Sequence, residues 1–117
     1  MLTVLVADDD AQIRMFVRLA LERSGYSVLE ARDGAEALEL VKHHRVAVVV
    51  ADMVMPRIGG RELVWQLSQA APHIPVILVS GILASNPLEP ELLPPAAFLS
   101  KPFALADLVE AVGDVLR

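Results

Sequence analysis

Short apolar runs alternate with stretches of helical periodicity from one end of this chain to the other, and no other feature restricts its fold as much. The first run is Leu2 to Ala7. After the acidic triplet Asp8-Asp9-Asp10, residues Ile13, Phe16, Val17, Ala20 and Leu21 recur at the spacing of one helical face, and Gly25 is placed to end that helix. A second run, Ser27 to Ala31, leads to Asp33-Gly34-Ala35-Glu36. Asp33 with Glu36 three residues later has the form of a capping box, opening a helix that buries Ala37, Leu38 and Val41. The third run, Val46 to Ala51, leads into Asp52. The loop Met53 to Gly59 then precedes a helix burying Leu63, Val64 and Leu67. Val76 to Ser80 and the short Ala97 to Ser100 form the last two runs. In the closing helix Leu105, Leu108, Val109, Val112 and Leu116 share a face.

Alternating strands and helices predict a parallel sheet covered by helices on both sides. The near-continuous apolar strands agree, because such strands are buried on both faces. With right-handed crossovers, five strands and five helices give a flavodoxin-like, doubly wound α/β fold of strand order 2-1-3-4-5. Residues 1–117 are expected to form one domain. The helix before strand five is expected to be shortened or irregular. Asn86, Pro87 and Glu89 can start it near residue 87, and Pro94-Pro95 must stop it by about residue 93.

Composition removes several function classes. Net charge is −5, no basic stripe carries interleaved aromatics, and there are only three Phe, one Tyr and one Trp, so direct nucleic-acid binding is not expected. Without cysteine there is no disulfide, no thiolate metal site and no Cys nucleophile. The longest apolar runs, such as Val46 to Ala51, fall far short of the roughly 20 residues that cross a bilayer. The start, Met-Leu-Thr-Val, lacks a basic leader, and a cytoplasmic location is expected. His43, His44 and His73 form no metal-binding spacing.

The polar residues collect at strand ends. Asp8 and Asp9 follow strand one, Asp52 follows strand three, Ser80 ends strand four and Lys101 follows strand five. In a parallel sheet those ends share one edge, and ligands bind there, in the crevice where strand order reverses. Strands one and three flank that crevice, so Asp8, Asp9 and Asp52 converge. Three carboxylates in one pocket repel, and a hard divalent cation with oxygen ligands relieves the conflict. Mg²⁺, a lysine and a hydroxyl around one carboxylate make a phosphoryl-transfer site in which Asp52 attacks in line. Taken singly, each residue has a plainer role: a helix N-terminus for Asp10, a strand end for Ser80, a solvated lysine for Lys101.

These residues resemble the receiver domain of bacterial two-component response regulators and hybrid histidine kinases over the whole chain. Val4-Leu5-Val6-Ala7-Asp8-Asp9-Asp10 is similar to the family's acidic pair after strand one. Asp52-Met53-Val54-Met55-Pro56 followed by Gly59-Gly60 resembles its phospho-acceptor and loop. Val79-Ser80-Gly81 matches its strand-four Ser/Thr, and Phe98-Leu99-Ser100-Lys101-Pro102-Phe103 its aromatic, lysine and proline.

The resemblance implies that Asp52 takes a phosphoryl group from a histidine kinase or a histidine phosphotransfer protein. Asp9 and Asp52 would bind Mg²⁺ directly (Mn²⁺ can substitute), Asp8 would act mainly through water, and the Val54 carbonyl would be a further ligand. Lys101 would pair with Asp52 and the phosphoryl oxygens, Ser80 would swing to the phosphoryl group, and Phe98 would move inward behind it. The Lys101–Pro102 bond would be cis. Output would pass to a partner or an output domain through the last two helices and strand five.

The chain also departs from the family pattern. Prolines interrupt the helix before strand five, and apolar Val54 and Ile82 flank the site. With no polar group at Val54 to align water, a long-lived phosphoryl group is expected. Phe98 has no hydroxyl, and Ala104 opens the last helix without a capping side chain. An unphosphorylated receiver-like interaction module is one alternative. An aspartyl-phosphate-forming phosphatase is another, although Val54 stands where such an enzyme carries a second aspartate. On the favoured reading the chain is a switch and not an enzyme, catalysing only its own phosphoryl transfer and slow dephosphorylation.

Overall fold

The structure is a computed structural model and describes residues 1–80, 96–100 and 103–117. Its strands are β1 (Thr3–Ala7), β2 (Ser27–Ala31), β3 (Val48–Asp52), β4 (Val76–Ser80) and β5 (Ala97–Ser100). The helices among the described residues are α1 (Ala11–Arg23), α2 (Gly34–His43), α3 (Gly60–Ala70) and α4 (Leu105–Val115). All neighbouring strands pair parallel, in the order β2-β1-β3-β4-β5, as the alternation predicts. The expected helical turn at 87–93, Ile82 and the Lys101–Pro102 peptide lie outside the described residues.

Strand alternation divides the core into two layers. Val4, Val6, Val48, Val50, Ile77 and Val79 pack with α1 and α4 residues such as Leu21 and Leu108. Leu5, Ala7, Val49, Ala51 and Leu78 pack with Leu63 and Leu67 of α3 and Ala37 of α2. Every residue of β4 is buried, as a central strand of such a sheet requires.

Local chemistry sets the helix ends. Asp10 caps α1 by accepting from the amides of Gln12 (2.9 Å) and Ile13 (3.3 Å). The far end closes as a Schellman turn: the Gly25 amide donates to Glu22 and the Tyr26 amide to Leu21, with Gly25 at φ +94°. Asp33 caps α2 by accepting from the Glu36 amide at 2.8 Å. The box closes one residue further back than expected, because Glu36 accepts from the Arg32 amide at 3.3 Å. Ala104 precedes α4 with no side-chain cap.

Some expectations need correction. Phe16 is exposed, because the inward stripe of α1 narrows to Val17 and Leu21, with Ile13 half-buried beside it. Leu2 is exposed and precedes β1. β3 begins at Val48 and extends through Asp52, because the strand's last pairing is Asp52 with Val79. A Cβ on Gly113 would meet Arg117 and Tyr26 at 3.9 Å, an ordinary contact distance, and nothing in the structure requires a glycine there.

Candidate functional site

The parallel sheet reverses its order between β1 and β3, which pair from Val4–Val48 to Ala7–Ala51. Immediately beyond that pairing stand Asp8, Asp9 and Asp52. One carboxylate oxygen from each lies within 4.8 Å of the others. Asp8 is buried, Asp9 exposed and Asp52 intermediate, so the cluster opens outward from a buried acid.

Short bonds shape the β1–α1 loop. The Asp8 amide extends the β1–β2 pairing by donating to Ala31 at 3.1 Å. The Asp10 amide donates to Asp8 Oδ1 at 2.9 Å, a tight aspartate turn. Arg14, one turn into α1, donates from Nη1 to the Asp8 carbonyl at 2.6 Å, while its Nε reaches Glu30 on β2 at 3.4 Å. Arg18 joins the same Glu30 at 2.9 Å. Asp10 itself is spent on capping α1, which agrees with its plainer role.

A contact from a distant part of the chain shapes the β3–α3 loop. The Val54 amide donates to Asp52 Oδ1 at 3.2 Å, and the Val54 side chain is 64% exposed. Arg57, at φ +66°, donates from Nε (2.9 Å) and Nη2 (2.7 Å) to Asp33 Oδ2 at the start of α2. The Glu36 amide and then the Arg57 guanidinium hold the Asp33 carboxyl below its ordinary value, against the opposing effect of burial. Sequence reading took Asp33 as a cap alone and missed this pair. No local spacing signals it, since the partners are 24 residues apart.

Ser80 ends β4, buried, and Phe98 lies opposite Leu78 in β5. The register places Ser80 and Phe98 on the same face of the sheet, where Phe98 packs against the α2–α3 core layer. Lys101 and Pro102, also expected at the site, lie outside the described residues. His43 pairs with Glu39 at 3.1 Å, and none of the three histidines joins a metal-ligating cluster among the described residues.

Three hard oxygen donors at this spacing fit a small divalent cation that keeps part of its water shell. The sequence profile of the response regulator receiver domain matches residues 4–113. This chain belongs to that family.

Receivers of this family act in the phosphorylation-based signalling of two-component systems. The response regulator receiver protein CpdR of Brucella abortus is 35% identical over 97% of this receiver and 95% of its own length. The response regulator MprA of a Mycobacterium strain is 36% identical over 97% of the chain, and the chain spans about half of that relative's length. Among solved structures, the chemotaxis protein CheY4 of Vibrio cholerae superposes with a TM-score of 0.90 at 30% identity, covering 99% of both chains. The response regulator TrrA of Thermotoga maritima, solved with Mg²⁺ and BeF, gives 0.90 at 26% identity over 99% of this chain and 100% of its own. No helix among the described residues is long and apolar enough to cross a membrane.

Proposed function

We propose that residues 1–117 form a receiver that stores a phosphoryl group on Asp52. The observation that carries this reading is the convergence of Asp8, Asp9 and Asp52 at the reversal point of the sheet. Asp9, Asp52 and the Val54 carbonyl would hold Mg²⁺, with Asp8 acting through water. A cation bound there neutralises charge on the phosphoryl oxygens.

The donor is a phosphohistidine on a kinase or a histidine phosphotransfer protein. An Asp52 carboxylate oxygen forms the new bond to phosphorus as the phosphorus–nitrogen bond breaks. The imidazole leaves with the bonding electron pair and takes up a proton from water. Lys101 then pairs with the phosphoryl oxygens. Ser80 turns to donate its hydroxyl to the same group, and Phe98, on the same face, follows inward. The phosphoryl group adds charge and acceptor oxygens that bias this pair of side chains toward one of two arrangements. A partner or an output domain reads that bias.

Mg²⁺-dependent labelling by acetyl phosphate tests the reading. The chain takes up one phosphoryl group, and Asp52→Asn abolishes uptake. Equal labelling of Asp52→Asn, or labelling indifferent to chelation, overturns the assignment. The exposed, apolar Val54 supports slow loss of the phosphoryl group, because its side chain cannot orient water. Val54→Asn therefore shortens the phosphoryl lifetime, and an unchanged decay rate contradicts that point.

A further inference from the structure

We propose that Arg57 and Asp33 are positioning residues for the cation site, their ion pair fixing the course of the loop that presents the Val54 carbonyl. The proposal rests on the reading of the acidic pocket given above.

The loop from Met53 to Gly59 is tied mainly at its two ends. At one end the Met53 amide donates to Val79 (2.9 Å), and the Gly60 amide donates back to Met53 (3.0 Å). At the other the Gly34 amide donates to the Ile58 carbonyl at 3.1 Å. Between these ties Met55 is buried, the Val54 amide donates to Asp52 Oδ1 (3.2 Å) and the Ile58 amide to the Pro56 carbonyl (2.8 Å), both within the segment itself, while the exposed Val54 side chain gives no anchorage. Arg57 supplies the side-chain tie from this loop to the start of α2, through two hydrogen bonds to one oxygen of Asp33.

Two features argue that this tie sets position and is not an incidental surface contact. Arg57 holds φ +66°, a region that a residue with a side chain occupies at a cost, so the surrounding contacts must fix it. The two segments also approach too closely for slack: a Cβ on Gly34 would lie 2.5 Å from the Ile58 carbonyl oxygen. The Asp33 side chain is only 10% exposed and also caps α2, so its carboxylate is itself fixed. A rigid carboxylate holding Arg57 fixes the backbone three residues from Val54. Metal sites lose affinity by about 10-fold to 100-fold when the groups that orient their ligands are removed.

Mg²⁺ alone is titrated into the intact chain and followed by the amide NMR signals of Asp9, Asp52 and Val54. Arg57→Ala, Arg57→Gly and Asp33→Asn each raise the Mg²⁺ Kd about tenfold. Arg57→Lys recovers part of the loss. The double variant Arg57→Ala/Asp33→Asn binds no more weakly than either single variant, as expected of two groups acting as one. Asp33→Asn keeps a good cap on α2, and Arg57→Gly accepts the positive φ freely, so neither capping nor strain explains a shared loss.

Wild-type Kd in Arg57→Gly overturns the proposal. So does a lowered Tm in chelator accompanied by Kd values within twofold of wild type, because the pair would then serve stability alone. If wild type shows no saturable response that Asp9→Asn removes, the pocket reading fails first and this proposal falls with it.

Discussion

The two loops that meet at the acidic pocket are held by different means. The Asp8–Asp10 loop is closed by contacts within a few residues: the Asp8–Asp10 turn, the Asp10 cap and the Arg14 bond to the Asp8 carbonyl. The Met53–Gly59 loop is held from α2, by Arg57 on Asp33 and by Gly34 on Ile58. Both nevertheless lean on the same edge of the sheet. Glu30 in β2 steadies Arg14, and Asp33 just beyond β2 steadies Arg57. The contrast shows that an acidic pocket can be half self-assembled and half imposed by the start of a neighbouring helix that contributes no residue to the acidic cluster.

The sharpest way to break this comparison is Gly34→Ala. The added methyl meets the Ile58 backbone and side chain, so overpacking should cost about 1–3 kcal/mol in urea unfolding. It should also disturb the Val54 signals while leaving those of Asp10 in place. Stability equal to wild type would show that the second loop yields easily and is not clamped.

Asp10→Ala probes the first loop. Loss of the α1 cap should lower stability by about 1 kcal/mol, with Asp52 still accepting phosphate. Complete loss of labelling would mean that Asp10 belongs to the pocket and not only to the helix.

Acid separates the loops further. The Asp33 carboxyl is held below its ordinary value of 3.8, so its stabilising contribution is fully present above that pH. The contribution is lost as pH falls through the lowered folded value. The stability difference between wild type and Asp33→Asn should therefore be constant from pH 7 to about 5 and shrink below about 4. A difference unchanged down to pH 2 would remove the ion pair from the account.

The smallest effect is expected at Gly113→Ala, which touches neither loop. It should stabilise by about 0.5–1 kcal/mol, because the helix gains propensity where the added methyl meets nothing closer than 3.9 Å. Destabilisation there would reveal a contact that the fold does not account for.

The two loops also mark how far the residues speak for themselves. The strand and helix runs and the Asp10, Asp33 and Gly25 helix signals follow from periodicity and short-range hydrogen bonding, which act within one turn or one strand, and the strand order follows from their alternation with right-handed crossovers. The convergence of Asp8, Asp9 and Asp52 was legible too, because parallel strands place their ends on one edge. Phe16 was misplaced because apolar spacing marks a stripe but not its width, which the neighbouring layer fixes.

The sequence by itself thus determined the sheet, its reversal point and the identity of the acids gathered there. Tertiary structure alone decided that Arg57 seeks Asp33, that Arg14 reaches Glu30, and that Gly34 admits Ile58. The physical reason is range: each of these pairings joins groups that no local rule brings together, and each depends on how closely packed elements let two backbones approach.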